Sequence, residues 1–279
     1  MPMSDALQDA VTANVRAALA EDVGSGDVSA SLIDPAVRAQ ARVITREAGI
    51  FCGKHWVRET ARQVSGDVRI DFGVSDGDTI TPGQALFSLE GPAHTLLTAE
   101  RTMLNFVQLL SGTATATRRF VDLIADTRAR ILDTRKTIPG LRAAQKYAVR
   151  CGGGSNHRMG LYDAFLIKEN HIAAAGSIKA AIESARAKHP DLPLEVEVEN
   201  LEQLREVING RADIAMLDNF SLADTVEAVA MAKRHVKLEA SGGIDDSTIR
   251  AIAETGVDYI SVGEITKRVQ PLDLSMRFI

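Results

Sequence analysis

No apolar run in this 279-residue chain approaches the roughly 20 residues that a membrane-spanning helix needs. The opening residues, MPMSDALQDA, carry no basic stretch followed by an apolar core, so no signal peptide is expected and the chain reads as cytoplasmic. Cysteine is scarce. Cys52 and Cys151 stand far apart in sequence and share no metal-ligand spacing, which argues against a disulfide framework and leaves two ordinary thiols. Positive charge is in short supply too, with 32 Lys and Arg against 37 Asp and Glu and a formal charge of -5. This balance excludes nucleic acid and anionic membranes as general partners, so any anion site must be local. No Ser-His-Asp or Cys-His spacing supports a nucleophilic site, and no Gly-x-Gly-x-x-Gly run marks a dinucleotide site. What the chain does have is apolar mass, 45% of its residues, enough for a sizeable core in one or two domains.

The rhythm of the sequence divides it into two domains, 1–128 and 129–279. In the first, Leu7, Val11, Val15 and Leu19 make one face of a helix, and ARVITREAG alternates as a strand does. The stretch VSDGDTITPGQALFSLEGP reads as short antiparallel strands joined by Gly and Pro turns. Two helices are expected next, Thr95 to Leu110 and Thr113 to Ala125, the first apolar around much of its circumference. This portion is α+β. The second domain alternates short apolar strands with amphipathic helices, the pattern of parallel βαβ units, and its C-terminal tail is free to pack back on the first domain. The expected strands are RILD, AFLIK, LEVEVE, DIAML, KLEAS and DYISVG.

Periodicity alone leaves open a doubly wound sheet or a barrel. Polar groups stand at the C-terminal ends of all these strands: Asp133 to Lys136, Lys168 to Asn170, Glu197 to Glu199, Asp218-Asn219, Ser241 to Gly243, and Gly263. Barrel sites draw on the ends of several strands, whereas a doubly wound sheet concentrates its site at one crevice. The expected fold class is therefore α/β, an incomplete (β/α) barrel of about six parallel strands preceded by an α+β domain.

Arg135, Lys136, His157, Arg158 and Lys168 would surround one mouth of an otherwise acidic protein, which implies an anionic ligand. Lys168 is the most telling, because it ends the buried run Ala164-Phe165-Leu166-Ile167 and lysine is almost never buried without a partner. Glu197 and Asp218 oppose these cations; they could accept bonds from sugar hydroxyls, help to hold Mg²⁺, or pair with the lysines and arginines. Glu195, Glu197 and Glu199 share one face of their strand, and spacing does not tell which reaches the ligand. The turns Ser241-Gly242-Gly243 and Ser261-Val262-Gly263 follow the last two strands, where barrels often cradle phosphate with backbone N–H groups, and a helix is expected to start at Asp245. The glycines at Gly152 to Gly154 are expected to turn the backbone so as to aim His157 and Arg158. A Schiff base on Lys168 or Lys136 is the competing chemistry, against which the surrounding positive charge and the glycine turns favour a multiply charged phosphorylated substrate.

With those residues in view, the chain resembles the quinolinate phosphoribosyltransferase family along nearly its whole length. The resemblance rests on GSGDVS, AERTMLNF, LSGTATAT, DTRKTIPGLR, CGGGSNHRMGLYDAFLIKENH, EVEVEN, MLDNF, ASGGI and GVDYISVG, in the family's order. Two positions depart from it: the family usually has threonine where Ile138 stands and His-Ser where Lys267-Arg268 stand. The resemblance implies an N-terminal sandwich domain joined to the barrel. It implies transfer of a phosphoribosyl group from phosphoribosyl pyrophosphate to quinolinate with Mg²⁺, yielding nicotinate mononucleotide, pyrophosphate and CO2 for NAD synthesis. A paralogue acting on another pyridine, and a barrel that binds an anion without chemistry, are the alternatives. By the same resemblance Arg135, His157, Arg158 and Lys168 hold the two quinolinate carboxylates, with Thr134 in the substrate-binding set and Lys136 near the transferred group. Glu197 and Asp218 would meet the ribose and metal, and the two turns, with Ser241, Gly242, Gly243, Ser261, Val262 and Gly263, the 5-phosphate. Arg101 would come from a second subunit, which implies a homodimer with shared sites, alone or within a larger assembly.

Overall fold

The computed structural model describes residues 3–233 and 235–279. In chain order they form α1 (Asp5–Asp22), β1 (Arg38–Thr45), β2 (Gly49–Ile50), α2 (Lys54–Val64), β3 (Arg69–Phe72), β4 (Thr79–Ile80), β5 (Ala85–Pro92) and α3 (Ala93–Leu123). Then come β6 (Arg130–Leu132), α4 (Arg142–Cys151), β7 (Phe165–Ile167), α5 (Glu169–Ala175), α6 (Ile178–Lys188), β8 (Leu194–Val198) and α7 (Leu201–Gly210). The rest are β9 (Ile214–Asp218), α8 (Leu222–Ala232), β10 (Lys237–Ser241), α9 (Ile249–Glu254), β11 (Tyr259–Ser261), α10 (Glu264–Lys267) and β12 (Leu274–Phe278). Two compact units result. One holds the chain up to Arg118 together with Thr137–Gly153 and Ile265–Ile279; the other holds Arg119–Lys136 and Gly154–Glu264.

The first unit is built on an antiparallel sheet ordered β12-β1-β5-β3. Its inner face, with Ala41, Val43, Phe87 and Leu89, packs on Val57 and Ala61 of α2 and on Leu96, Met103, Leu104 and Val107 of α3. A second cluster joins Val11 and Val15, one turn apart on α1, to Trp56, Phe106, Leu110, Tyr147 and Ala148. The hydroxyl of Ser4 caps α1 by accepting the Leu7 N–H at 3.3 Å. Where the sequence suggests two helices, α3 is continuous across Ser111-Gly112. The glycine there serves packing: a Cβ on Gly112 would lie 2.1 Å from the carbonyl oxygen of Gln270, so its absence lets the C-terminal segment lie against the helix. Gly152 has the same role, since its Cβ would meet the Ala114 carbonyl at 2.4 Å, while Gly153, with φ of +94°, makes the turn after α4.

The second unit contains a six-stranded parallel sheet ordered β6-β11-β10-β9-β8-β7. From β7 to β11 each strand lies beside its successor in the chain, and β6 lies beside β11. This is the cyclic order of a barrel, without the reversal of a doubly wound sheet. The ring stays open, because β6 and β7 do not pair; the outer edge of β6 instead receives a single parallel bridge from Leu132 to Ser155. The incomplete barrel read from the strand ends is therefore the fold observed. Among the described residues no helix is long and apolar enough to cross a membrane.

Gly112→Ala is expected to lower the stability of the protein by about 1–3 kcal/mol, the usual cost of forcing a methyl group into a packed contact. The midpoint of urea unfolding measures it, and an unchanged midpoint would show that the C-terminal segment reseats without cost.

Candidate active site

Paired residues of neighbouring strands point to the same side of a sheet, and side chains alternate along each strand. Glu197 pairs with Met216, which pairs with Glu239, and two residues onward Asp218 pairs with Ser241. Leu166 pairs with Glu195, so Lys168 continues that face on β7, as Ser261 does on β11. One face of the sheet thus collects Glu195, Glu197, Asp218, Glu239, Ser241, Ser261 and Lys168.

The Nζ of Lys168 lies 2.5 Å from Oε2 of Glu197. Of the three glutamates on β8 and just beyond it, Glu197 is the one that meets the lysine, Glu195 is buried deeper, and Glu199 is exposed. Lys168 also starts a helix missed by the sequence pattern: its carbonyl accepts the N–H of Ile172 at 3.0 Å, and its own N–H donates to Nδ1 of His171 at 3.0 Å. That helix, α5, is seven residues long, too short for its periodicity to register.

The end of β6 organises the next group. Asp133 has no exposed surface. Its carboxylate accepts the backbone N–H of His157 at 2.9 Å and the side-chain amide of Asn156 at 2.5 Å. These bonds hold the segment after Gly154 along the open edge of the sheet. Beyond Asp133, the Thr134 hydroxyl accepts the Lys136 N–H at 3.0 Å, and a Cβ on Gly263 would sit 3.1 Å from Cδ of Lys136. Lys136 therefore lies across the end of β11.

Arg158 donates to the Ala164 carbonyl at 3.3 Å. Burial pushes its guanidinium below its ordinary pKa, and the like charge of Arg135 pushes further in the same direction, against Glu195 and Asp163. Two guanidiniums that repel each other at a strand-end mouth gain from a bound anion, which relieves the repulsion.

At the end of β10, Gly242 and Gly243 have φ of +101° and +57°, a left-handed pair that exposes successive backbone N–H groups. Gly242 has no alternative, since a Cβ would lie 2.1 Å from Oδ1 of Asn219. The helix expected from Asp245 begins instead at Ile249, because the Asp245 carboxylate binds the N–H groups of Ser247 and Thr248 in a turn that precedes it. At the end of β11 the Ser261 hydroxyl donates to the Ala240 carbonyl at 3.4 Å and the Val262 N–H to the Leu132 carbonyl at 3.0 Å, so both are engaged within the sheet. Arg101 belongs to the other unit, exposed on α3 beside the buried Thr102, Met103 and Leu104.

Sequence reasoning passed over Glu239. It stands in the middle of β10 with no exposed surface. Its Oε2 is 3.6 Å from Nε2 of His157, which lies 2.8 Å from Oε2 of Glu195. The signal was a charged residue inside the short parallel strand KLEAS, where both faces are expected to be buried. Burial holds the Glu239 carboxyl well above the usual carboxylate range, and the neighbouring Glu195 charge raises it further. Ligand atoms of His157, Glu195 and Glu239 lie within 4.8 Å of one another, close enough for a metal ion. A shared proton accounts for the cluster without one. Glu195 Oε1 and both oxygens of Glu239 are buried, with the Ser261 hydroxyl beside Glu239 as a further donor, and two adjacent buried carboxylates cannot both stay ionised. Glu197 and Asp218 also present carboxylate oxygens, the hard donors that a divalent cation prefers, at neighbouring strand ends, with Asp218 bonded through Oδ2 to the Asn219 amide at 3.0 Å.

The raised pKa of Glu239 gives stability a definite pH dependence. Above the ordinary glutamate value of 4.5 the unfolded chain releases this proton while the folded protein keeps it. Stability is therefore lost as pH rises toward the folded-state pKa. Glu239→Gln, which cannot ionise, is expected to escape this loss, so its melting temperature should rise relative to wild type between pH 4.5 and neutrality. A difference that does not change with pH would contradict the buried acid.

Comparison with known proteins agrees with this architecture. Residues 27–111 match the N-terminal domain, and residues 113–277 the C-terminal domain, of quinolinate phosphoribosyl transferase. The chain is 45% identical to a probable nicotinate-nucleotide pyrophosphorylase (carboxylating) of Bacillus subtilis, over 92% of this chain and 89% of that one. It is 43% identical to the nicotinate-nucleotide pyrophosphorylase (carboxylating) of Mycobacterium leprae, over 98% and 99% of the two chains. The solved nicotinate-nucleotide pyrophosphorylase of Francisella tularensis superposes with a TM-score of 0.95 at 50% identity, covering 98% of this chain and 97% of that one. With both domains matched and relatives this similar along almost their full length, the chain belongs to the quinolinate phosphoribosyltransferase family.

Proposed function

We propose that this protein transfers the phosphoribosyl group of phosphoribosyl pyrophosphate to quinolinate and decarboxylates the product, giving nicotinate mononucleotide, pyrophosphate and CO2 for NAD synthesis. The observation that carries this reading is the placing of Arg135, Lys136 and Lys168 at or just beyond strand ends, with Arg158 close enough to Arg135 for their like charges to repel, in a protein with a net charge of -5. Arg135 and Arg158 present planar forks suited to carboxylates, and Lys168 adds a point charge held in place by Glu197. His157 lies at their base. Lys136 faces the transferred group, with Thr134 ordering its backbone. The Ser241-Gly242-Gly243 turn and Gly263 offer backbone N–H groups to the 5-phosphate.

The quinolinate nitrogen attacks the anomeric carbon as pyrophosphate departs, through an oxocarbenium-like state, and the cations neutralise the leaving charge. The carboxylate next to the nitrogen then leaves as CO2, its electron pair staying on the ring carbon until that carbon takes a proton. Cations around the pyridine stabilise that pair. Glu197 and Asp218 would hold Mg²⁺, which would neutralise pyrophosphate charge when bound. No covalent bond to Lys168 is needed, and its Nζ is already engaged by Glu197. The free thiols of Cys52 and Cys151 fit a cytoplasmic place.

The active unit is a homodimer, with Arg101 of one subunit completing the site of the other. Leu97, Arg101 and Asn105 form an exposed stripe on the otherwise buried face of α3. The hydroxyl of Thr98 donates to Asp27 at 3.0 Å and so brings the exposed Val28 to the same stretch. Exposed apolar groups around a lone arginine suit a subunit interface better than solvent.

Release of CO2 and pyrophosphate on mixing quinolinate with phosphoribosyl pyrophosphate tests the activity. Lys168→Ala, assayed in folded protein, is expected to lower turnover roughly 100-fold or more, as loss of one preorganised charge does. Nicotinate should be disfavoured by a factor on the order of 10⁴, because a missing carboxylate leaves cations without their partner once the ligand has displaced the water around them. Comparable use of nicotinate would place the activity elsewhere.

Mixing Arg101→Ala with Lys168→Ala under subunit exchange should restore activity, up to about half of wild type per mixed dimer, since one of its two pockets carries neither defect. Exchange without recovery would show that each pocket is built from one chain.

A further inference from the structure

From the middle of β10 to the mouth, one line of groups runs through Glu239, Glu195, His157 and Arg158. The two ring nitrogens of a histidine are distinct, and what each one meets determines where the proton sits. Here Nδ1 accepts the backbone N–H of Arg158 at 2.7 Å, so it carries no proton. In the neutral ring the proton is then on Nε2, which points at Oε2 of Glu195 from 2.8 Å. With its side chain only 11% exposed, His157 commits both nitrogens to the protein. What it fixes is the amide of the next residue, Arg158, whose guanidinium is steadied at the other end by the Ala164 carbonyl.

We propose that Glu195 and Glu239 are positioning residues of the carboxylate site. Through Glu195 they lock His157 as the Nε2–H tautomer, and His157 in turn aims Arg158, acting on the bound anion through that arginine instead of through a ring N–H of its own. The logic is that of the carboxylate in a serine-protease triad, which sets the tautomer and orientation of a histidine without touching substrate. Glu239 supplies what Glu195 needs to do this in a dry interior. As a buried acid it donates its proton to one oxygen of Glu195 and leaves the other directed at Nε2. The proposal rests on the reading of this site as one that grips the carboxylates of quinolinate.

The test reads His157 directly. In enzyme labelled with ¹⁵N-histidine, its signals are identified by their loss in His157→Gln. At neutral pH they should show Nε2 protonated and Nδ1 bare, both without ligand and with quinolinate bound, and Glu195→Ala, which leaves only the Arg158 N–H to bias the ring, should lower the share of that tautomer. A proton on Nδ1 in either state would overturn the proposal. In steady-state kinetics Glu195→Ala is expected to raise KM for quinolinate about 10- to 100-fold, the usual cost of removing a group that orients a ligand-binding residue. The KM for phosphoribosyl pyrophosphate and kcat should stay near wild type. Glu195→Gln, which keeps a carbonyl for Nε2–H, should recover most of the loss. Glu239→Gln, which keeps a donor for Glu195, should stay near wild type, whereas Glu239→Leu should follow Glu195→Ala. An equal loss toward both substrates, or none in Glu195→Ala, would also overturn it. If Glu195→Ala does not fold, the wild-type spectrum and the Gln and Leu variants decide the matter. The ligand-free tautomer does not depend on the substrate, so a wild type that shows it yet fails to turn over quinolinate removes the substrate reading alone.

Discussion

Asp133 holds together the part of the second unit that a complete ring of strands would otherwise have fixed. An open ring leaves backbone groups of β6 without a neighbouring strand, and unpaired backbone in an interior is costly. The segment after Gly154 supplies the missing partner with one bridge at Ser155. A single bridge is weak, and the buried carboxylate of Asp133 strengthens it with two further bonds, to His157 and Asn156. Charge-assisted bonds of this kind, out of reach of water, are stronger than neutral ones. The directions of His157 and Arg158, and with them the anion site, follow from this anchor.

Much of the fold could be read from the sequence because parallel strands buried on both faces stand out as short apolar runs. RILD, LEVEVE and KLEAS all correspond to strands, and the spread of polar groups over their ends distinguished the ring from a doubly wound sheet. Two expectations failed, for different reasons. Ser111-Gly112 looks like a helix break, but its glycine answers to a segment more than 150 residues away, Gln270-Pro271, which no local pattern reveals. Asp245 looks like a helix start and is instead the acceptor in a turn that delays the helix by four residues.

The site was legible where chemistry and position conflict. Lys168 at the end of an apolar strand stands out, and its partner Glu197 stands opposite. Glu239 marks a polar spot in a strand expected to be buried on both faces, but the sequence does not say which face it takes. Only the register, which sets it level with Glu197 through Met216, shows that it faces the same enclosed side. The glycines after α4 illustrate a milder case, in which one run of three residues serves both packing at Gly152 and a turn at Gly153.

The pairing of β12 with β1 bears on the order in which the protein is made. Ala41 lies opposite Phe278, so the edge of the antiparallel sheet is supplied by residues that leave the ribosome long after its other strands. All six strands of the parallel sheet emerge before them. During translation the first unit must wait with the edge of β1 uncovered, and an uncovered edge is a template for pairing with other chains. Closing so long a loop costs entropy that only the finished chain can recover, which makes the seating of β12 a late event in folding.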